Sequence, residues 1–150
     1  MKRQLSQKEI RDIDGAVKAF GIGISKKDRV ELLEDRHRVV FVNGEATLFY
    51  HDEKILPTLK ALQKNNSLKP VIVDIGAVKF VVNGADIMRP GIRSCDLGIK
   101  KDDFVAVIEE AHRKPLAIGI ALFPGEEIMA LKAGKAVKNI HWVGDEIWNY

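Results

Sequence analysis

The sequence predicts an α/β protein of the α+β kind, with a small α+β N-terminal module over residues 1–69 and a closed sheet of mixed strand direction over residues 70–150. Three observations predict this fold class. The first is a run of apolar residues at helical spacing that follows a helix-capping signal. Short apolar runs rich in β-branched residues, separated by glycine-bearing turns, are the second. The third is a polar stretch, Lys64 to Lys69, which separates the two halves.

Composition and charge describe an ordinary soluble chain. Of the 150 residues, 46% are hydrophobic and 30% charged, and no apolar run approaches the roughly 18 residues of a membrane span. The start, Met1-Lys2-Arg3-Gln4, lacks a signal-peptide core, so we expect a cytoplasmic protein with no membrane partner. Net charge is +3. Residues 1–70 carry 14 Lys/Arg against 10 Asp/Glu, and residues 71–150 carry 10 against 11, so the basic excess lies in the first half.

The first half combines one amphipathic helix with a hairpin sheet. Ser6 and Glu9 form a capping box, after which Ile10, Ile13, Val17 and Phe20 recur at helical spacing. Asn43-Gly44 is a two-residue hairpin turn. The expected elements are a helix Gln7–Phe20, strands Arg29–Glu34, Arg38–Val42 and Ala46–Tyr50, and a second helix opened by Pro57 and continuing through Leu59, Leu62 and Lys64.

The second half alternates strands with two short helices, as a small closed sheet requires. Asp74 caps a short helix that ends at Asn83-Gly84, and Pro90-Gly91 stops the strand that follows. The expected elements after that helix are strands Ala85–Met88, Phe104–Glu109 and Leu116–Phe123, a helix Glu126–Lys135 with acids in its first turn and lysines in its last, and a hairpin of Ile140–Val143 and Ile147–Tyr150 around Gly144-Asp145.

The segment from Asp74 to Ile92 suits close approach by a nucleic-acid backbone, because it combines side-chain-poor turns with three cations. Gly76 leaves the first helical turn without bulk, although Asp74 takes one of its amides and favours a ribose hydroxyl or base edge over a phosphate. The alternative is that the glycines serve only turn geometry and packing. We assign Phe80 and Met88 to the core. The cations are Lys79, Arg89 and Arg93, which can also form an ordinary solvated surface.

The same segment resembles the PUA domains, small RNA-binding pseudo-barrels, through Gly76-Ala77, Gly84-Ala85 and Pro90-Gly91-Ile92 at the family's spacing. The match runs from about Val71 to the C-terminus. The preceding residues resemble the N-terminal domain of the malignant-T-cell-amplified-sequence type translation factors and their archaeal relatives. The resemblance implies a PUA pseudo-barrel whose RNA groove is formed by Gly76, Ala77, Lys79, Gly84, Arg89, Pro90, Gly91 and Arg93.

The function that the resemblance implies is a non-catalytic RNA-binding adaptor without a cofactor, because the chain leaves no room for a catalytic domain. Its partner would be structured RNA, either tRNA or rRNA of the small ribosomal subunit, during translation initiation, reinitiation or recycling. In eukaryotic relatives the N-terminal module contacts a companion protein with an initiation-factor-like domain. An accessory RNA-binding subunit in ribosome biogenesis or RNA modification stays open as an alternative.

Catalytic and metal chemistry finds little support in the residues. His37, His51, His112 and His141 are scattered, with no metal-ligand spacing. A small enzyme that acts through Cys95, the single cysteine, remains the least favoured alternative. Around it Ser94-Cys95-Asp96 departs from the Pro-Gly turn of the translation-factor relatives. A second basic patch comprises Lys26, Lys27, Arg29, Arg36 and Arg38. It could extend an RNA or ribosome footprint beyond the second half, but the acids among its residues favour an ordinary mixed surface.

Overall fold

The computed structural model describes all 150 residues, which fold into two compact units. Residues Met1–Ser67 form the first unit together with Tyr150, and Leu68–Asn149 form the second. None of the helices has the length and apolar character that crossing a bilayer requires.

Helix α1 of the first unit spans Gln7–Ala19, and its start confirms the predicted capping box. The Glu9 amide donates to Ser6 Oγ at 3.1 Å, and the Ser6 amide donates to Glu9 Oε1 at 3.0 Å. Two of the amides that lack helical partners are thereby satisfied. The buried side of α1 presents Val17 to a cluster that includes Val30 and Leu48 of the sheet.

Five antiparallel strands in chain order form the sheet of the first unit. Asn43 and Gly44 have φ angles of 52° and 85°, so they form the left-handed turn that this dipeptide favours. Strands β1 and β5 were not expected from the sequence. The strands are β1 Lys2–Gln4, β2 Val30–Glu34, β3 Arg38–Val42, β4 Glu45–His51 and β5 Lys54–Pro57.

Pro57 does not open the second helix, contrary to the prediction. It ends β5, and the buried Thr58 caps helix α2, Leu59–Lys64. Thr58 Oγ1 donates to the main-chain oxygen of Ala46 at 2.9 Å and accepts from the Ala61 amide at 3.3 Å, so one hydroxyl fixes both strand and helix. Leu59 and Leu62 are fully buried.

The second unit is a six-stranded sheet in the order β7-β11-β10-β9-β6-β8. Only the pairing of β6 with β9 is parallel, which gives the mixed directions that were predicted. The strands are β6 Lys69–Val73, β7 Ile87–Met88, β8 Ile92–Cys95, β9 Phe104–Glu109, β10 Pro115–Ala121 and β11 Lys135–Trp142. A 3₁₀ turn Ile75–Ala77 leads into helix α3, Val78–Val81, between β6 and β7.

Two predictions for the C-terminal segment are wrong. Helix α4 covers only Gly125–Ala130, because Leu131 turns to an extended conformation, and Lys135 begins β11 instead of ending a helix. The expected final hairpin is absent. Residues up to Trp142 complete β11, and the Asp145 carboxylate then accepts the amides of Trp142 and Trp148 at 2.9 and 2.8 Å to hold a run of turns.

Candidate nucleic-acid interface

A groove of about 480 Å³ opens on the second unit between the 3₁₀ turn, α3 and the segment that contains β7. The Asp74 amide donates to the main-chain oxygen of Gly91 at 2.8 Å, which joins the two glycine-bearing segments. Of the residues expected in the groove, the structure brings four together in its lining: Gly76, Ala77, Pro90 and Gly91. The other lining residues are Asp74, Phe80, Val81, Ala85, Asp86, Ile87 and Met88.

Gly76 is exposed at the mouth of this groove, and nothing in the protein requires a glycine there. Its φ lies outside the left-handed region, and a Cβ placed on it would meet only Asp74 Oδ1, at the ordinary contact distance of 3.9 Å. Gly91 differs, since its Cβ would approach the Ala77 methyl at 3.3 Å. Packing therefore accounts for Gly91, whereas neither packing nor backbone conformation accounts for Gly76.

Asp74 caps the 3₁₀ turn as predicted. Its Oδ1 accepts the Gly76 amide at 3.1 Å, and its Oδ2 lies 3.4 Å from an amino nitrogen of Arg93. The carboxylate therefore satisfies one of the free amides at the start of the turn and places an acceptor at the groove mouth. Such a mouth favours a hydroxyl or a base amino group over a phosphate oxygen.

Gly84 is explained by backbone geometry and packing. Its φ is +89°, and a Cβ would lie 2.7 Å from Cζ2 of Trp142. The side-chain amide of Asn139 on β11 holds the same turn, donating to the main-chain oxygens of Val81 at 3.1 Å and Ala85 at 3.0 Å. Strand β11 therefore fixes the wall of the groove that α3 and β7 form.

Phe80 and Met88 are not core residues, contrary to the prediction. Phe80 is 59% exposed and Met88 45% exposed, and both line the groove. The alternation along β7 explains Met88, because Ile87 faces the core and the next side chain must point outward. Phe80 lies on the outer side of a one-turn helix whose inward residue is Val81. Together they give the groove an apolar rim.

The three expected cations have different roles. Lys79 is exposed, with its Nζ 5.1 Å from the centre of the Phe80 ring. Arg93 is exposed but held between Glu110 at 3.0 Å and Asp74 at 3.4 Å. Arg89 is half-buried and donates to the main-chain oxygens of Ile92 at 2.9 Å and Met129 at 3.3 Å. Arg89 therefore joins two chain segments instead of presenting its charge to the groove.

Two further cations, Lys135 and Lys138 on β11, were not singled out from the sequence. Lys135 Nζ lies 3.1 Å from Asp86 Oδ2 in the groove lining, and Lys138 is exposed on the same strand. Burial acts to raise the pKa of Asp86, but the Asn139 amide and Lys135 outweigh it and hold that pKa below its usual value. The expected helix Glu126–Lys135 placed Lys135 at a helix end instead of on a strand beside the groove. Gly134, just before Lys135, was the sequence signal that a helix would not continue to Lys135.

Cys95 shows no activation as a nucleophile. Burial raises the pKa of its thiol, Asp96 adds to the rise, and Arg89 opposes it. Its Sγ donates to the main-chain oxygen of Gly125 at 3.5 Å.

No group of three or more His, Cys, Asp or Glu side chains is arranged to hold a metal ion.

Comparison with known families divides the chain much as the structure does. Residues 69–143 match the model of the PUA domain, and residues 2–65 match a domain of unknown function, DUF1947. An uncharacterised Methanocaldococcus jannaschii protein, MJ1432, is 43% identical to this chain, covering 97% of it and 94% of that protein.

Relatives with more informative names come from eukaryotes. Translation machinery-associated protein 20 of Saccharomyces cerevisiae is 37% identical, over 85% of this chain and 75% of that protein. Malignant T-cell-amplified sequence 1 of Rattus norvegicus is 34% identical, over 83% of this chain and 72% of that protein.

Solved structures share the same architecture. The crystal structure of hypothetical protein PH0734.1 from Pyrococcus horikoshii matches with a TM-score of 0.84 and 37% identity, over 99% of this chain and 98% of that chain. A chain of a Cbf5-Nop10-Gar1 complex matches with a TM-score of 0.52 and 31% identity, over 63% of this chain and 27% of that chain. The chain thus belongs to the family of PUA-domain proteins that includes translation machinery-associated protein 20 and malignant T-cell-amplified sequence 1, with the RNA-binding PUA fold in its second unit.

Proposed function

We propose that this protein is a non-catalytic RNA-binding adaptor of the cytoplasmic translation machinery, and that one RNA nucleotide enters the groove beside Gly76. The observation that carries the proposal is the open space at Gly76, where neither backbone conformation nor packing requires a glycine. Because Gly76 lines the groove, a side chain at that position would add bulk to the lining.

The groove lining matches an unstacked nucleotide in chemical character. Exposed Phe80 and Met88 offer an apolar surface for the face of a base, and such stacking contributes about 1–3 kcal/mol per base. Carboxylates of Asp74 and Asp86 can accept hydrogen bonds from ribose hydroxyls or base amino groups. Lys79 and Lys138 are exposed and do not line the groove, so they can contact the phosphates that flank the bound nucleotide.

The role in translation rests on the relatives. One relative is named translation machinery-associated protein 20. Another is named malignant T-cell-amplified sequence 1. We propose that this chain likewise engages tRNA or the small ribosomal subunit, together with a companion initiation-factor-like protein. The raised pKa of the Cys95 thiol supports a binding role over a thiol-dependent enzyme.

Binding to deacylated bulk tRNA and to purified small ribosomal subunits tests the proposal. Gly76→Val fills the groove mouth, and Gly15→Val is the matched control because Gly15 is exposed on α1 with nothing within 4 Å of its Cβ position. We expect Gly76→Val to weaken binding about tenfold, equivalent to about 1.4 kcal/mol, while Gly15→Val binds as the native chain does. Equal binding by both folded variants would refute the groove as the RNA site.

A role as accessory subunit of an RNA-modifying assembly is the second candidate, favoured by the match to a chain of the Cbf5-Nop10-Gar1 complex. Crosslinking in a cell extract, followed by sequencing of the attached RNA, separates the two functions. Recovery of tRNA or mature small-subunit rRNA supports the translation adaptor. Recovery of guide RNAs or unprocessed precursors supports the accessory subunit.

A further inference from the structure

The cations that would attract RNA are concentrated in the first unit of the chain. The first unit carries 13 Lys/Arg and 10 Asp/Glu, whereas the second unit carries 11 of each. Nucleic-acid affinity depends mainly on neutralising phosphates, so a groove in a unit without net charge needs positive charge from elsewhere. The first unit is therefore the place to look for a second RNA contact.

Most exposed cations of the first unit are already engaged. Arg3, Lys18, Arg29, Arg38 and Lys64 each form an ion pair with an Asp or Glu. Lys26 and Lys27, like Lys8 and Arg11 of α1, are exposed and without an ion-pair partner. What distinguishes Lys26 and Lys27 is that they are adjacent in sequence. They lie in the loop between α1 and β2, within a segment that we name the lysine turn, Ser25–Arg29.

The lysine turn is fixed by hydrogen bonds at both ends. The Ser25 amide donates to Asp28 Oδ2 at 2.7 Å, and the Asp28 amide donates to the Ser25 oxygen at 3.1 Å. The Lys27 amide donates to Ser25 Oγ at 3.3 Å. The turn is therefore held closed, with the two lysines between the residues that close it.

The β3–β4 hairpin anchors this turn from outside. Asn43 Nδ2 donates to Asp28 Oδ1 at 3.0 Å, and the Arg29 amide donates to Asn43 Oδ1 at 2.9 Å. Hydrogen bonds from Ser25 and Asn43 hold the pKa of Asp28 below its usual value, against a smaller effect of burial. The only acid of the turn thus directs its carboxylate to the scaffold, and the ammonium groups of Lys26 and Lys27 stay unneutralised.

We propose that the lysine turn is a second RNA contact, in which Lys26 and Lys27 bind backbone phosphates. The inference rests on the proposed RNA-binding function and adds a site outside the groove. A fixed turn loses less conformational entropy on binding than a mobile loop, so two lysines on it bind more strongly than two on a flexible segment. The turn has no aromatic side chain for stacking on bases, so the contact is independent of RNA sequence.

Fluorescence anisotropy with the full chain tests this inference. The probes are a labelled RNA hairpin with a single-stranded extension and the same hairpin without it, titrated at several salt concentrations. The test variant is Lys26→Gln with Lys27→Gln. The matched control is Lys100→Gln with Lys101→Gln, which removes the same charge from two adjacent exposed lysines outside the groove lining.

We expect the test variant to bind both hairpins about tenfold more weakly at low salt, with a log–log salt slope less steep by about 2 units, because two phosphate contacts are lost. The control should match the native chain. If the two double variants bind alike, the lysine turn is not an RNA contact, and the groove proposal stands by itself. If the native chain binds neither hairpin, both proposals fail.

Discussion

The side-chain amide of Asn139 donates a hydrogen bond of 3.1 Å to the main-chain oxygen of Val81, 58 residues earlier in the chain. The same nitrogen donates to Ala85 at 3.0 Å, and the Asn139 main-chain amide donates to Asp86 Oδ1 at 3.0 Å. One residue of β11 thereby fixes both ends of the turn that carries Gly84. The exposed rim of the groove is thus supported by a buried polar contact from a distant strand.

Replacing Asn139 with Ala should lower the free energy of unfolding by about 2 kcal/mol. The reason is that Asn139 is only 7% exposed, so two main-chain oxygens lose a hydrogen bond in a site with little access to water. Urea unfolding measures the loss. Asn149→Ala is the control, because the Asn149 side chain makes one exposed hydrogen bond of 3.4 Å, and it should change stability by less than about 0.5 kcal/mol. Equal losses of stability for the two variants would contradict the supporting role of the Asn139 hydrogen bonds.

Three glycine-to-alanine variants should separate backbone strain, packing and an open surface. Gly84 and Gly134 have φ angles of +89° and +90°, but only Gly84 lies against Trp142. Gly134→Ala should cost about 1 kcal/mol for the left-handed backbone, and Gly84→Ala about 1–3 kcal/mol more for the ring contact. Gly76→Ala should stay within about 0.5 kcal/mol of the native chain. Thermal unfolding ranks the three, and a large loss for Gly76→Ala would refute its open environment.

Arg89 and Lys138 should differ in how they affect RNA binding. Lys138→Gln should make the log–log salt slope less steep by about 0.7–0.9, since one exposed phosphate contact is lost. Arg89→Gln should leave the slope unchanged and lower stability by about 1–3 kcal/mol, because its guanidinium bonds two main-chain oxygens within the fold. A reduced slope for folded Arg89→Gln would show that Arg89 contacts RNA after all.

Acid should weaken the second unit through Asp145. Burial acts to raise the pKa of this carboxyl, but hydrogen bonds from His141, Trp148 and Trp142 outweigh it and hold the pKa below its usual value. A depressed folded pKa contributes stability above the unfolded value of about 3.9, and the contribution is lost as pH falls through the lower folded pKa. The stability difference between the native chain and Asp145→Asn should therefore shrink below about pH 4. A difference that stays constant during acid titration would contradict this assignment.

Features that depend on a few neighbouring residues were predicted correctly from the sequence. The capping box of Ser6 and Glu9 and the hairpin turn at Asn43-Gly44 each need only residues within three positions of one another. Strand Phe104–Glu109 was also placed correctly, because a long apolar run favours a buried strand. Such local signals were sufficient for the α+β class and for most of the strands.

Features that depend on distant segments were not predictable in the same way. Acidic residues from Glu126 and a lysine at Lys135 complement the dipole of a helix, which is why a helix was expected there. In the structure Lys135 instead belongs to β11, which pairs with β7 and β10. In the candidate groove, Phe80 stands in the mostly apolar run Val78-Lys79-Phe80-Val81-Val82, which indicates burial. Its exposure follows from the packing of helix α3 through Val81, which no short window of sequence contains.

Chemical-shift mapping on the isotope-labelled full chain tests the central claim most directly. Titration with the extended RNA hairpin should give the largest amide shifts at Gly76, Ala77, Phe80 and Met88, because a nucleotide that enters the groove lies against them. Shifts confined to residues outside the groove, with these four amides unmoved at saturation, would contradict the claim that RNA occupies the groove.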